Sequence, residues 1–469
     1  MQRDTAIVFD CGATNVRVIA IDASGSILAS ESFPNSTRPD PWYPDYRIWD
    51  TDEIWDKMCL ASGRVMKTVR PERIAGVTVT TFGVDGTLFS SEGRMLYPVV
   101  SWQCERTRQI MSDIGKYIPP EELYRESGVL PYSFNTIYKL IWFLENRPEI
   151  VSQSRHFLFM PSIFILKLTS EMVNDSTMAG TSMMMNQRGR DFSDLILGKT
   201  GISRDLMGTL AEPGTIVGTV SREASEATSI PAGTPVVATG HDTQFAIFGS
   251  GALKNEPVLS SGTWEILMVR AGTFSAGPEQ LNLGITSELD SKPGLFNIGT
   301  QWVASGIIEW VRRNLYSELG DGAYEKMIEG AENVAEGCNG VKVIPKFYEE
   351  REGRSGGQIL GLSMESTRDE IFRAVLESLS QKLAEGKAAL ENAGGFRAGS
   401  ILCVGGGSRN RLWNKLRARS AGVPLRIIKQ KETTVLGASL FVQSACGNFN
   451  SPEDARSHID YNIEVIEPG

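Results

Sequence analysis

The sequence predicts an α/β protein of two domains, and three observations support this fold class. The chain has 469 residues, more than one hydrophobic core usually supports, so two domains with a cleft between them are expected. Strand-like segments alternate with segments whose apolar residues recur at helical spacing. Two stretches about half a chain apart also share one strand-turn-strand design, which suggests two related domains. We place the boundary near residue 249, which gives domains 1–249 and 250–469.

Composition is typical of a globular protein and argues against several classes. Hydrophobic residues make up 41% and charged residues 22%, so the chain is not expected to be disordered. The net charge of -9 comes without a Lys/Arg-rich block, so neither nucleic acid nor a membrane surface is an expected partner. The six cysteines are scattered, as in a reducing cytosol, and the N-terminus is unlike a signal peptide. We therefore expect a cytoplasmic protein.

The first strand-turn-strand segment opens the chain. A strand at 6–9 leads into a polar turn that begins with Asp10, and a second strand follows at 16–21. A carboxylate at the end of a buried strand, followed by Gly12 and Thr14, suits Mg²⁺ held mainly through water, with turn amides and hydroxyls facing phosphate. An ordinary hairpin whose polar side chains cap their own backbone is the alternative.

Two polar motifs follow before the middle of the chain. The strand-like segment 74–79 precedes Gly83 and Asp85, which could lie beside a polyol. Further on, His241 directly precedes Asp242 in a chain with only three histidines. Phosphoryl transfer to an alcohol needs a carboxylate that accepts the hydroxyl proton, and Asp242 suits that role. The alternative is a loop pair that satisfies its own amides.

The second half repeats the opening design and adds a glycine-rich turn. Strands at 257–259 and 264–269 flank a turn with Gly262 and Thr263. Helical spacing over 371–383, with Gly394 and Gly395 as a stop, predicts a long helix. A strand at 401–404 then leads into the glycine-rich stretch 405–410, where a ligand could approach the backbone closely. No P-loop motif occurs, and a plain tight turn is the alternative.

Taken in order, these stretches resemble the FGGY carbohydrate kinases, a branch of the sugar kinase, heat-shock protein 70 and actin superfamily. The resemblance covers nearly the whole chain. Its motifs are the opening Asp10-x-Gly12-x-Thr14-Asn15-x-Arg17, the stretch 135–142, the Asp242 motif, the turn 261–263 and the turn 405–410. It implies two ribonuclease H-like domains, each a mixed sheet flanked by helices, with an interdomain cleft.

The resemblance also implies a role for each matching residue. Asp242 would be the general base, and Asp10 would help to hold Mg²⁺. Residues near the nucleotide would be Thr14, Asn15, Arg17, Gly262, Thr263, Gly406, Gly407 and Asn410. Residues near the sugar would be Gly83, Asp85, His241, Asp242 and Asn297.

Within the family, the sequence is most similar to the branch that phosphorylates L-fuculose to L-fuculose 1-phosphate in fucose catabolism. The stretch 175–182 supports this branch, and a histidine immediately before Asp242 argues against a kinase of xylulose or glycerol. A kinase of L-rhamnulose, ribulose or xylulose is the alternative, and a non-catalytic actin-like nucleotide-binding protein is a further one. The implied ligands are ATP, Mg²⁺ and a sugar; a homodimer is left open.

Overall fold

The computed structural model describes residues 3–320, 322–347, 356–430 and 432–469. The strands, in chain order, are β1 (Thr5–Cys11), β2 (Asn15–Asp22), β3 (Ile27–Pro34), β4 (Arg38–Pro39), β5 (Arg47–Trp49), β6 (Ile74–Thr81), β7 (Gly86–Phe89), β8 (Val99–Val100), β9 (His156–Phe159), β10 (Asn174–Asp175), β11 (Met185–Asn186), β12 (Asp191–Phe192), β13 (Leu210–Ala211), β14 (Ile216–Thr219), β15 (Pro235–His241), β16 (Val258–Ser261), β17 (Trp264–Ala271), β18 (Thr286–Leu289), β19 (Phe296–Val303), β20 (Lys342–Ile344), β21 (Gln358–Leu360), β22 (Ile401–Val404), β23 (Leu425–Ile427) and β24 (Glu464–Ile466). The helices are α1 (Thr51–Val65), α2 (Arg108–Ser112), α3 (Pro120–Ser127), α4 (Thr136–Asn146), α5 (Pro148–Gln153), α6 (Met160–Thr169), α7 (Ser176–Thr181), α8 (Asp194–Thr200), α9 (Arg222–Thr228), α10 (Asp242–Gly249), α11 (Pro278–Asn282), α12 (Ser305–Leu315), α13 (Ala323–Glu332), α14 (Arg368–Gly394), α15 (Arg411–Ala421), α16 (Thr433–Ala445) and α17 (Pro452–Ser457).

The first large sheet has the strand order β14-β15-β6-β1-β2-β3. Strand β1 pairs antiparallel with β2 and parallel with β6, and β6 pairs parallel with β15. Every residue of β1 and of β6 is buried, as expected for central strands that are covered on both faces. The hairpin predicted over 6–21 and the strand predicted over 74–79 are both confirmed.

The second large sheet has the order β18-β19-β17-β16-β22-β23-β24. Strand β16 pairs antiparallel with β17 and parallel with β22, and β22 pairs parallel with β23. The sequence β17-β16-β22-β23 therefore repeats β2-β1-β6-β15 of the first sheet in both order and direction. Two mixed sheets with one shared topology confirm the ribonuclease H-like fold class expected from the sequence.

The end of the chain returns to the first sheet. Helix α16 packs against β1, β6 and helix α10, in an apolar cluster that includes Val8, Phe245 and Leu436. The two helices cross in backbone contact, because a Cβ on Gly437 would lie 2.0 Å from the Phe245 carbonyl oxygen. Residues of the second half thus complete the core beneath the first sheet, so a boundary at residue 249 separates the two sheets but not their covering helices.

The long helix predicted after residue 369 is present as α14. Thr367 caps its start and forms a reciprocal capping box with Glu370. Gly395 ends the helix with a φ of 65°, a left-handed conformation that glycine adopts without a steric penalty. None of the helices in the described ranges is both long and apolar enough to cross a membrane.

Candidate active site

The polar motifs meet because they follow neighbouring parallel strands. In the first sheet Asp10 of β1 lies opposite Thr80 of β6, and Thr80 lies opposite Gly240 of β15. Strands are about 4.8 Å apart, so the backbones of Asp10 and Gly240 are separated by roughly 10 Å. The carboxyl ends of parallel strands are where α/β sheets bind ligands. Asp10 and Asp242 therefore lie at the same edge of the first sheet, where its parallel strands end.

The second sheet presents an equivalent edge. Ser260 of β16 lies opposite Val404 of β22, so the turn with Gly262 and Thr263 and the glycine-rich stretch 405–410 both follow the same edge. The turn amide of Gly262 donates to the Trp264 carbonyl oxygen at 3.1 Å. In the first sheet the amide of Gly12 similarly donates to the Asn15 carbonyl oxygen at 2.8 Å.

Two cavities meet beside Asp242. The smaller, which we call the acceptor cavity, has a volume of about 380 Å³. The larger, the glycine-turn cavity, has a volume of about 830 Å³. Both are lined by Thr243, Ile266 and Met268. Asp242 lines the acceptor cavity and directly precedes Thr243 of this shared wall.

Asp242 begins helix α10 and His241 ends strand β15, so the pair lies at a strand-to-helix junction and not in a loop. The Asp242 Oδ1 accepts hydrogen bonds from the amide of Thr243 at 2.6 Å and from its hydroxyl at 3.2 Å. Burial raises the pKa of Asp242 to about 6, against the lowering effect of these Thr243 hydrogen bonds. A carboxylate with a pKa near neutral suits general base catalysis.

His241 is enclosed by backbone and by α7. A Cβ on Gly83 would lie 2.8 Å from the His241 Nε2, so only glycine leaves room for the ring there. The His241 amide donates to the Thr177 hydroxyl at 3.0 Å, and that hydroxyl donates to Asp175 at 2.6 Å. Burial lowers the pKa of His241. The stretch 175–182, singled out in the sequence, thus supports the backbone of the His241-Asp242 junction.

Asp85 lies outside the acceptor cavity, although the sequence placed it beside the sugar. Its carboxylate pairs with Lys139, and it accepts from the Trp49 indole at 2.6 Å and the Trp102 amide at 3.0 Å. Asp85 is fully buried, and its polar contacts face the protein interior. It holds the backbone of Trp102, which does line the cavity.

Asn297 is also set back from the cavity wall. It is fully buried and donates through Nδ2 to Gln244 Oε1. Gln244 in turn donates to Glu288 Oε2 at 2.8 Å. Of these three hydrogen-bonded residues, Glu288 lines the acceptor cavity, although it was not among the residues predicted from the sequence. Its segment shows only ordinary strand alternation, so no local sequence signal marks it.

Asp10 is paired rather than free at its sheet edge. Arg17 contacts the Asp10 Oδ2 through two nitrogens, with Nε at 2.9 Å, and also reaches Glu432 at 2.8 Å. Burial raises the pKa of Asp10 to about 6, Arg17 opposes this, and the Asp242 charge adds to it. Within the described ranges no group of three metal-ligating side chains occurs. One carboxylate among exposed turn residues fits Mg²⁺ that keeps several waters and phosphate ligands.

Of the remaining residues predicted to lie near the nucleotide, some line the glycine-turn cavity and others support the backbone around it. Gly406 lines the glycine-turn cavity, and a Cβ there would meet no atom within 4 Å. Gly407 packs against Ser261, and Asn410 caps α15 by accepting from the Trp413 amide at 3.0 Å. The turn residues predicted to surround the phosphates are exposed and line neither cavity; they are Thr14, Asn15, Gly262 and Thr263.

A buried ion pair ties the two turns of the second sheet together. Arg417, fully buried, contacts Glu265 and donates to the Ser261 hydroxyl at 2.6 Å. The same guanidinium reaches the Gly407 carbonyl oxygen at 3.5 Å. Ser261 precedes the Gly262 turn, so this network fixes that turn relative to the glycine-rich stretch.

Comparison with known proteins gives matches along the whole chain. The models for the N-terminal and C-terminal domains of the FGGY family of carbohydrate kinases match residues 5–249 and 258–445. L-fuculokinase of Escherichia coli (strain K12) is 42% identical over 468 residues, covering 100% of this chain and 98% of the relative. L-fuculokinase of Haemophilus influenzae is 38% identical over 470 residues, covering 99% of each. The crystal structure of xylulose kinase from Rhodospirillum rubrum superposes with a TM-score of 0.89 at 20% identity, covering 99% of this chain and 94% of that one.

Proposed function

The chain belongs to the FGGY family of carbohydrate kinases, and on this premise we propose that it transfers the γ-phosphate of ATP to L-fuculose, with Asp242 as the general base. Family membership establishes a sugar kinase that uses ATP. The choice of L-fuculose is supported by relatives named L-fuculokinase that are 38–42% identical over essentially the full chain.

One structural observation supports the mechanism most strongly. Asp242 lines the acceptor cavity, and the residue after it, Thr243, lines both cavities. A carboxylate on the wall of the smaller cavity would be close to an alcohol bound there, and a phosphate chain bound in the larger cavity would approach across the shared wall. Phosphoryl transfer depends mainly on such alignment together with charge neutralisation.

In the proposed reaction the C1 hydroxyl of L-fuculose gives its proton to the Asp242 carboxylate. The hydroxyl oxygen forms a bond to the γ-phosphorus, and the bond from that phosphorus to the bridging oxygen breaks. ADP leaves with that electron pair, and the product is L-fuculose 1-phosphate. Asp242 is half-buried, and with a pKa of about 6 most of its carboxyl groups are ionised at pH 7 and able to accept the proton.

Asp10 would hold Mg²⁺, together with water and phosphate oxygens. When bound, Mg²⁺ neutralises charge on the β- and γ-phosphates. The residues of this chain supply the surrounding frame: Arg17 fixes the Asp10 carboxylate, and the exposed turns at Thr14 and Thr263 offer amides and hydroxyls to phosphate. The glycine-turn cavity would receive the adenosine, with Gly406 on its wall.

The lining of the acceptor cavity suits a deoxy sugar. Its wall includes Trp102, Phe134, Val129 and Leu130, and the rings of Trp102 and Phe134 meet edge to face at 6.4 Å. L-fuculose is a 6-deoxyketose, so its methyl carbon gains from burial against apolar surface while its hydroxyls need polar partners. His241 and Glu288 supply polar groups in the same cavity.

A substrate panel tests this function. ADP release is measured with Mg-ATP and L-fuculose, L-rhamnulose, ribulose, xylulose or glycerol. We expect the highest kcat/KM with L-fuculose, because isomers leave buried polar groups unpaired. Higher kcat/KM with another ketose would reassign the substrate within the family, and no sugar-stimulated ADP release would remove the kinase activity. Cytoplasmic location and a homodimer stay predictions from the sequence.

A further inference from the structure

The acceptor cavity contains a second carboxylate, a largely buried one, that the transfer chemistry does not use. Among the residues that line it, the acidic ones are Asp242 and Glu288. The side chain of Glu288 is 13% exposed, so its charge is largely removed from water. A buried carboxylate without a matching cation is costly unless hydrogen-bond donors reach it. Glu288 therefore needs hydrogen-bond donors from the protein or from a bound ligand.

The protein itself supplies one hydrogen-bond donor to Glu288. Gln244 Nε2 donates to Glu288 Oε2 at 2.8 Å, and Asn297 Nδ2 donates to Gln244 Oε1. Asn297 lies opposite Glu288 in the β18–β19 ladder, so the first and last residues of this hydrogen-bonded series are on paired strands. The Thr286 hydroxyl is 3.4 Å from Glu288 Oε1, a distance longer than that of a usual hydrogen bond. Glu288 is therefore fixed in place while keeping accepting capacity on its cavity side.

His241 has a ring nitrogen near Glu288 that is also available for a hydrogen bond. Its Nδ1 is buried and has no hydrogen-bond partner. It lies 3.9 Å from Glu288 Oε2, too far for a direct hydrogen bond. Two hydrogen bonds of ordinary length, about 2.8 Å each, that meet at one oxygen span this separation. A hydroxyl is both a donor and an acceptor, so one such group satisfies an acceptor carboxylate and a ring N–H together.

We propose that Glu288 is a specificity-determining residue, whose carboxylate accepts a hydrogen bond from one sugar hydroxyl while that hydroxyl accepts from the Nδ1–H of His241. This inference rests on the proposed function, because it requires a polyol in the acceptor cavity. Asn297 then acts as a positioning residue through Gln244. An isomer that turns this hydroxyl away leaves the His241 N–H without an acceptor and Glu288 without its second donor, and such a mismatch discriminates strongly between polar substrates.

The test combines Glu288→Gln with three L-fuculose analogues that each lack the hydroxyl at C3, C4 or C5. Glutamine keeps the size of the side chain, and Glu279→Gln, at an exposed position in α11, is the matched control. We expect Glu288→Gln to lower kcat/KM for L-fuculose about 10- to 100-fold, as for one charged hydrogen bond. The loss should appear mainly in KM for the sugar, with KM for ATP unchanged.

The analogues separate direct contact from an indirect effect. For the analogue that lacks the bridging hydroxyl, wild type and Glu288→Gln should have equal kcat/KM, whereas the other two analogues should keep the full difference. Equal losses on L-fuculose and on all three analogues, or a shifted pH profile with no change in sugar KM, would overturn the proposal. So would unchanged activity in Glu288→Gln.

Failure of the proposed function gives a different pattern. It would appear as wild-type turnover of another ketose in preference to L-fuculose. The same comparison is then made with deoxy analogues of that ketose, and an unchanged difference across all of them would overturn the Glu288 role independently.

Discussion

The ionisation of Asp242 sets a pH dependence that can be worked out from its surroundings. Burial raises its pKa to about 6, and the hydrogen bonds from Thr243 hold it below the value that burial alone would give. Only the carboxylate accepts a proton, so kcat/KM for the sugar should rise with pH through about 6 and level off above it. One pH unit below the pKa, about one tenth of the enzyme carries the active form, so kcat/KM falls about tenfold per unit.

Thr243→Val tests the cause of this pKa. The variant removes the hydroxyl that donates to Asp242 Oδ1 at 3.2 Å and keeps the amide that donates at 2.6 Å. Losing one donor to the ionised form should raise the pKa, and we expect the acid limb to move up by about 0.5 to 1 pH unit.

The assay is ADP release from pH 5 to 8 at saturating Mg-ATP and subsaturating sugar. Thr300→Val is the matched control, because Thr300 lines the same cavity and is not a donor to Asp242. An acid limb that stays in place in Thr243→Val, or moves to lower pH, would refute the reasoning.

Three further predictions concern the support of the site. Thr177→Val removes the acceptor of the His241 amide. We expect about a tenfold lower kcat with little change in KM for ATP, because one hydrogen bond that positions the His241-Asp242 junction is lost. An equal change in both constants would argue for general damage to the fold. Gly437→Val places side-chain atoms against the Phe245 carbonyl oxygen and should lower the free energy of unfolding, measured in urea, by about 3 kcal/mol or more. Gly198→Ala, at a position with open space, is the control and should leave the free energy of unfolding near the wild-type value. Asp10→Asn should raise the Mg²⁺ concentration for half-maximal rate at least about tenfold; an unchanged Mg²⁺ dependence would remove Asp10 from the metal site.

Local patterns in the sequence predicted the framework well. Both hairpins, the strand at 74–79, the helix that ends at Gly395 and the strand before the glycine-rich turn are present, because each carries its own periodicity and end signals. His241 and Asp242 could be identified because they adjoin in sequence and follow a buried strand. The shared sheet edge then follows from parallel pairing of β1, β6 and β15.

The rest depends on contacts between distant segments. Asp85 matched a sugar-side position, but Lys139, on helix α4, pairs with it in the interior. Asn297 was expected at the sugar, yet Gln244 stands between it and the cavity wall. Glu288 reaches the site on a strand of the second sheet. Such placements depend on tertiary packing, which periodicity and spacing do not encode.

The central claim is that Asp242 accepts the proton of the sugar hydroxyl, and Asp242→Asn tests it most directly. Asparagine keeps the size of the side chain and can still meet the Thr243 donors, but it cannot act as a base at neutral pH. Turnover is measured at saturating L-fuculose and Mg-ATP, with sugar binding by calorimetry as a check on folding. We expect intact sugar binding, with kcat lower by about 10³-fold or more. A kcat within about tenfold of wild type would contradict it.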